Sequence, residues 1–281
     1  MILSTDSTAN LPKEYYENLN IKMIPMQIIL EDETYDDLSD KLPVSEYYQK
    51  MREGATPTTA QINEYSARAY FENLLTLGED ILHICFSSAM SGTCAAVKRV
   101  ADELNETHSN KIMVVDSLNA SCGEGILVLK AHALRQKGKS IEEIKTEIEN
   151  LIPKTCAYFT VEQLKYLVRG GRLSKLSGTI GTILNIKPVL RVDENGKLVS
   201  YKKIISRKKS IAEIANIVTQ KLSDKQYVMI SHAECLEDAN ELASTLRMTL
   251  GVEPIITDLT QVIGCHTGPG LLAVFFFGNE K

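Results

Sequence analysis

The sequence predicts an α/β protein: a Rossmann-like parallel α/β/α domain at the N-terminus, followed by a C-terminal α+β sandwich domain. Two observations carry the first half. Short apolar runs alternate with helical patterns, and the connections between them are short, as in a parallel sheet built from strand-helix units. A third observation carries the second half. The apolar run 186–192 turns at Asp193-Glu194-Asn195-Gly196 and returns over 197–205, which reads as a hairpin with glycine in the turn. The boundary is expected near Pro153, giving domains 1–153 and 154–281.

In chain order, residues 1–4 read as a short strand. Leu11-Pro12-Lys13-Glu14 opens a helix, with proline where its missing N–H costs little. Residues 21–30 are β-rich and 43–52 helical. Ile81-Leu82-His83-Ile84-Cys85-Phe86 is a buried strand, followed by a helix over about 93–105. Ile112-Met113-Val114-Val115 is the next strand and 120–136 the next helix. Ser140-Ile141-Glu142-Glu143 has the capping-box pattern that opens another. Residues 156–161 read as a strand and 162–168 as a helix. After the hairpin, Ser210-Ile211-Ala212-Glu213 reads as a second capping box, opening a helix to about residue 222. Strands over 227–231, 254–257 and 271–277, and a helix over 236–250, complete the pattern.

A chain of 281 residues suits two compact domains or one large one. No run of about 18 uncharged apolar residues marks a membrane span. The start, Met1-Ile2-Leu3-Ser4-Thr5-Asp6, lacks the basic and long apolar regions of a secretory signal. The six cysteines (85, 94, 122, 156, 235, 265) are scattered without a Cys-x-x-Cys pair, and read as buried thiols rather than disulfides or a zinc site. A cytoplasmic location is the expectation. The net charge of −5 is unevenly spread: residues 1–164 hold 15 basic and 25 acidic side chains, and residues 210–281 hold 4 and 9. Between them, residues 165–209 hold 12 basic and 2 acidic side chains, among them Arg169, Arg172, Lys175, Lys203 and Arg207. That stretch suits docking to something acidic, such as a protein, a phosphate-bearing ligand or an anionic lipid surface. Nucleic acid is disfavoured, because the rest of the chain is acidic, aromatics are few and no nucleic-acid motif occurs.

Hydroxyl-rich loops follow three strands of the first half: Thr5-Asp6-Ser7-Thr8, Ser87-Ser88-Ala89-Met90-Ser91-Gly92-Thr93 and Asp116-Ser117. A fourth segment, Thr56-Pro57-Thr58-Thr59-Ala60-Gln61, is expected on a loop before a helix. Helix capping accounts for one such residue per loop. It does not account for Ser87, Ser88, Ser91 and Thr93 together. Hydroxyls and backbone N–H groups at helix N-termini favour an anionic head group, phosphate or carboxylate. No Walker A or Gly-x-Gly-x-x-Gly pattern supports a nucleotide, no Gly-x-Ser-x-Gly elbow an α/β-hydrolase, and no His-Glu-x-x-His spacing a metal. Near the end, His266-Thr267-Gly268-Pro269-Gly270 precedes an apolar run and reads as a tight polar turn. His266 is the best candidate histidine. His83 lies within a strand and suits the core, His108 and His132 suit helix surfaces, and His232 is a minor candidate.

Taken together, these segments resemble the DegV family of fatty-acid-binding proteins, which includes the FakB subunits of bacterial fatty acid kinase. The matching segments run nearly end to end. They are Thr5-Asp6-Ser7-Thr8-Ala9-Asn10-Leu11-Pro12, Thr58-Thr59-Ala60-Gln61, Ser87 to Thr93, Val115-Asp116-Ser117 and Arg169-Gly170-Gly171-Arg172-Leu173-Ser174. Leu184-Asn185-Ile186-Lys187-Pro188-Val189-Leu190, Ser231-His232-Ala233 and His266 to Gly270 complete them. The resemblance implies a DegV-like two-domain protein with one acyl chain held between or within the domains. The carboxylate would meet Thr59, Ser91 and His266, with Ser88 the alternative serine and Thr93, Thr267 and Ser117 as secondary candidates. Arg169, Arg172, Lys203 and Arg207 are the candidates for partner or membrane docking. The sequence departs from the family pattern where Thr59-Ala60-Gln61-Ile62-Asn63 replaces Thr-Ser-Gln-Pro-Ser. It departs again where an expected arginine aligns with Ile205, leaving Arg207 as its substitute.

The implied function is non-catalytic. The protein would take a long-chain fatty acid from the membrane, bury the tail, and present the carboxylate to a separate ATP-dependent kinase that makes the acyl phosphate. No metal and no cofactor beyond the bound fatty acid is expected, and membrane contact would be transient. Two other readings stay open: a phosphatase or acyl hydrolase using Ser91 and His266 with Asp6 or Asp116 as orienting acid, and a plain lipid carrier or sensor without a kinase.

Overall fold

The computed structural model describes residues 1–173 and 186–281. Ser174, Lys175, Leu184 and Asn185, named above, lie outside the described residues. The first half runs β1 (Ile2–Asp6), α1 (Lys13–Asn18), β2 (Ile21–Ile24), β3 (Gln27–Leu30), β4 (Glu33–Asp36), α2 (Val44–Glu53), β5 (Thr58–Ala60) and α3 (Glu64–Leu75). It continues with β6 (Ile81–Cys85), α4 (Thr93–Thr107), β7 (Ile112–Asp116), α5 (Cys122–Gln136) and α6 (Ile141–Leu151). The second half has β8 (Thr155–Thr160), α7 (Lys165–Arg169), β9 (Val189–Val192), β10 (Leu198–Lys202), α8 (Arg207–Lys221), β11 (Val228–His232), α9 (Leu236–Leu250), β12 (Ile255–Asp258), α10 (Gln261–Thr267) and β13 (Leu272–Phe277).

Three sheets result. A parallel sheet has the order β2-β1-β6-β7, a mixed sheet β10-β9-β8-β13-β11-β12, and a small antiparallel sheet β4-β3-β5. The two inner strands of the parallel sheet, β1 and β6, are buried at every position, as strands covered on both faces must be. His83 sits inside β6 with its Nδ1 2.8 Å from Ser4 Oγ, and burial holds its pKa at about 3. It is a core residue. Helix α5 separates the parallel sheet from the mixed sheet and is apolar nearly all round, with Ile126, Leu127, Val128 and Ala131 buried.

The mixed sheet is covered on both faces, and β13 shows how. Leu272, Val274 and Phe276 point into a core with Ile214 and Val218 of α8 and Leu242 and Leu246 of α9. Ala273, Phe275 and Phe277 point the other way, into the main core shared with the first half. This period of two sends successive residues of β13 to opposite faces of the sheet. All strands of the parallel sheet precede residue 152 and all strands of the mixed sheet follow residue 154, yet one apolar core contains residues from Leu3 to Phe277.

Several sequence expectations need correction. Ser210 does not cap its helix. It lies within α8, whose N-cap is Ser206, and its Oγ bonds to the carbonyls of Lys187 and Ser206. Thr58–Ala60 is a strand, with Thr59 opposite Ile28. Gln261–Thr267 is a helix rather than a turn, so His266 lies in a last helical turn, and Gly268 leaves it at φ +77°. The Ser140 capping box forms as expected, with both of its hydrogen bonds present. The hairpin also forms, Asp193 N donating to Lys197 O at 2.8 Å. Among the described residues no helix is long and apolar enough to cross a membrane, no cluster of metal-ligating side chains occurs, and the six cysteines are free.

Candidate functional site

The inner face of the mixed sheet does not pack fully against the first half. Ala157, Phe159, Val192, Leu198, Ala273 and Phe275 form one wall of a cavity of about 490 Å3, and Met26, Phe86, Met90, Val262 and Ile263 form others. The alanines of β8 and β13 leave the space that larger side chains would fill. Polar groups enter this apolar chamber from four segments: Thr59, Gln61 and Asn63; Ser91; Arg172; and His266 with Thr267. Ser121 and Ser231 also line it.

Thr59 Oγ1 and His266 Nε2 are 2.9 Å apart. His266 Nδ1 is buried and has no hydrogen-bond partner among the described residues. Gly170 packs against that nitrogen so closely that a Cβ on it would lie 2.4 Å away. Gly268 is needed for the same reason on the other side of the turn, because its positive φ and bare Cα let the Tyr166 ring pack against it. Burial first, then the charges of Arg172 and Arg169, lower the His266 pKa to about 4. The ring is therefore neutral at neutral pH. Ser91 Oγ lies 3.0 Å from Thr93 Oγ1 and accepts from Thr93 N at 3.2 Å.

A second, more polar cavity of about 290 Å3 shares Thr59, Arg172 and His266 with the first and adds Thr56, Thr58 and Arg169. Arg172, expected at a docking face, thus stands at both cavities. Its Nε donates to Met90 O at 3.2 Å and its Nη1 to Gly170 O at 2.6 Å. Neutral donors beside two guanidinium groups suit an anion such as a carboxylate.

The family follows from the whole chain. Residues 2–279 match the model of a family described as "Uncharacterised protein, DegV family". The chain belongs to the DegV family. A DegV domain-containing protein of Clostridium perfringens is 38% identical over 100% of this chain and 98% of its own. The solved DegV of Bacillus subtilis, described as a fatty acid binding protein, is 32% identical, with a TM-score of 0.87 over 99% of both chains. A DegV family protein from Thermus thermophilus, described by its fatty acid binding, is 29% identical, with a TM-score of 0.88 over 99% of both chains. The DegV fold is therefore that of this chain.

The structure places the other expected residues as follows. Thr267 lines the cavity, its Oγ1 donating to Ile263 O. Thr93 is buried at the start of α4 and accepts from Ile62 N, which fixes the loop after β5. Ser88 is exposed and away from the cavity wall, its N–H bound to Asp116 Oδ1 at 3.2 Å. Ser117 is buried in a turn, bonded to the backbone of Asn119. Arg169 lies over the Tyr166 ring, 5.3 Å from its centroid. Lys203 borders an open groove with exposed Ile205. Arg207 is half-buried and pairs with Asp238 at 2.8 Å.

The hydrolase arrangement is not assembled. Ser91 bonds Thr93 and not His266, and among the described residues His266 Nδ1 has no orienting acid. Asp6 is engaged by Thr8 and Phe86 N, and Asp116 by Ser88 N and Leu118 N. Sequence reasoning missed Gln61, Asn63, Ser121 and Ser231 as cavity residues, although Gln61 and Ser231 stand in quoted motifs.

Proposed function

We propose that this protein binds a long-chain fatty acid, buries its tail in the apolar cavity, and presents the carboxylate at Thr59, Ser91 and His266 to a separate ATP-dependent kinase. The kinase transfers a phosphoryl group to that carboxylate, and the acyl phosphate leaves for phospholipid synthesis. The observation that carries this reading is a polar cluster opening on an apolar chamber of about 490 Å3, a size that suits one small-molecule ligand. About 14 methylenes at ~0.8 kcal/mol each give a gross gain on the order of 11 kcal/mol, of which association itself consumes a large part. The hydroxyls and imidazole offset the desolvation of the head group. The tail thus supplies affinity and the cluster supplies orientation.

On this reading the protein is a binding subunit, working in the cytoplasm, with no cofactor beyond its fatty acid and with residues 1–153 and 154–281 acting as two domains around the ligand. Arg169, Arg172 and Lys203 remain the basic residues to meet a kinase or, transiently, an anionic membrane surface. Native mass spectrometry with lipid extraction should find one fatty acid per chain. Purified protein given oleate and ATP alone should make no acyl phosphate, and turnover without a kinase would refute the presentation role. A pull-down that recovers no ATP-binding protein would favour a plain carrier.

A further inference from the structure

Two polar side chains in the cavity wall do not belong to the Thr59–His266 cluster. Ser121 precedes α5 and Ser231 lies in β11; both line the chamber and both are almost fully buried, at 2% and 0% exposure. Ser231 is two residues from Met229, which packs in the main core, so its side chain points to the same inner face of the mixed sheet. Their hydroxyls face each other at 3.4 Å, a long contact for two oxygens. The remaining contact of Ser121 Oγ is with Cys122 Sγ at 3.9 Å. Cys122 also meets the Ser231 hydroxyl, so the two buried serines face an apolar chamber with only long contacts to each other and to a weakly bonding thiol.

The backbone at Ser121 adds a second, independent observation. It stands at φ 54°, ψ −143°, a region that favours glycine. Its carbonyl accepts from Glu124 N at 2.9 Å and Gly125 N at 3.1 Å, which hold that conformation. Glycine would fit this backbone with less strain, and an alanine methyl would fit the apolar wall. Neither would bring a hydroxyl to the cavity. Backbone strain of this kind is tolerated where a side chain is used.

We propose that Ser121 and Ser231 form a subsite for an oxygen function on the acyl chain, so that the preferred ligand is a hydroxy fatty acid. This inference rests on the fatty-acid reading above. A chain hydroxyl placed between the two serines donates to Ser231 Oγ and accepts from Ser121 Oγ, replacing two long contacts with bonds of ordinary length. In a purely apolar wall the same hydroxyl would be buried unpaired and would weaken binding.

The test compares stearate with a series of hydroxystearates that differ only in hydroxyl position, by calorimetry on delipidated protein. The wild type should prefer one isomer over stearate. The double variant Ser121→Gly/Ser231→Ala should reduce the hydroxystearate-to-stearate affinity ratio for that isomer by about tenfold, with stearate affinity little changed. Ser121→Gly relaxes the backbone, so folding is retained, and the single Ser231→Ala gives a second readout in the same direction. A ratio that the variants leave unchanged for every isomer, with stearate still bound, would overturn the subsite and spare the fatty-acid reading. Failure of stearate and of every isomer to bind the wild type would overturn both.

Discussion

Two polar clusters in this molecule, one buried and one half-buried, both pair threonine hydroxyls with ionisable side chains and have opposite character. One is Asp6, Thr5, Thr8 and Glu124, between β1 and α5. The other is Thr59, Ser91 and His266 at the cavity. In the first, all four carboxylate oxygens are engaged. Glu124 Oε1 accepts from Thr5 Oγ1 at 2.7 Å, Glu124 Oε2 meets Thr8 Oγ1 at 3.0 Å, and Asp6 takes Phe86 N at 2.9 Å and the N–H and hydroxyl of Thr8. Thr8 has one hydroxyl proton for two carboxyl groups, so one of them carries a proton of its own. Burial raises the pKa of both carboxyls, and the charge of Asp6 raises that of Glu124 further, so Glu124 is expected to be the partner that holds the proton. In the second cluster, His266 Nδ1 has no partner among the described residues and the hydroxyls face an apolar chamber. A closed network holds a fold together, whereas an open one holds a ligand. What separates them is the hydrogen-bonding capacity left over, which residue type alone does not show.

The comparison can be broken most severely at Glu124. Glu124→Ala leaves the hydroxyls of Thr5 and Thr8 unpaired beside a void and should lower unfolding free energy by about 3–5 kcal/mol in urea titrations. Glu124→Gln should lower it by only about 1 kcal/mol, because the native group is already neutral. Equal damage from both would mean that Glu124 is ionised in the fold. At the open cluster the pattern should reverse. His266→Ala should weaken fatty-acid affinity roughly ten- to hundredfold while thermal unfolding shifts little. A large loss of stability with unchanged affinity would place His266 in the scaffold instead.

Acid sensitivity sharpens the same contrast. The His266 pKa is about 4 in the fold, against about 6.5 in the unfolded chain. Between those values the unfolded chain binds the proton and the native state does not, so stability is full above pH 6.5 and falls as pH drops towards 4. Lowering the pH from 7 to 5 should cost on the order of 1–2 kcal/mol through this residue. His266→Gln should remove that part of the slope and leave the part due to His83. Gly170→Ala should have the smallest effect: its methyl displaces the imidazole and weakens fatty-acid binding roughly tenfold, with the midpoint of unfolding nearly unchanged.

Much of the scaffold was legible in the sequence because burial writes itself into periodicity. The run 81–86 is apolar except for His83, and β6 lies buried in a parallel sheet. Ser140 and Glu143 form their reciprocal bonds because both partners are local. The failures came where tertiary contacts override local signals. Gly268, Pro269 and Gly270 spoke for a turn, and Pro269-Gly270 does turn, yet His266 and Thr267 belong to α10, where Gly264 leaves room for Tyr48, whose Oη would come within 2.1 Å of a Cβ. Ser210 carries a capping pattern, but its hydroxyl is used by the carbonyls of Lys187 and Ser206. Thr59, Ser91 and His266 were named through a family resemblance. Their meeting in space depends on β5, the loop before α4, and α10, which are joined by long-range packing. Arg172 and Ser121 escaped assignment to the chamber because nothing within a few residues of either marks the cavity.

The most direct test of the central claim is the magnetic resonance signal of a carboxyl-labelled palmitate bound to the delipidated protein. One slowly exchanging bound resonance is predicted, displaced from the free position and moved again by Thr59→Val and by His266→Gln. A bound resonance indifferent to both substitutions would contradict the account, because the acid group would then lie away from the cluster that is supposed to grip it.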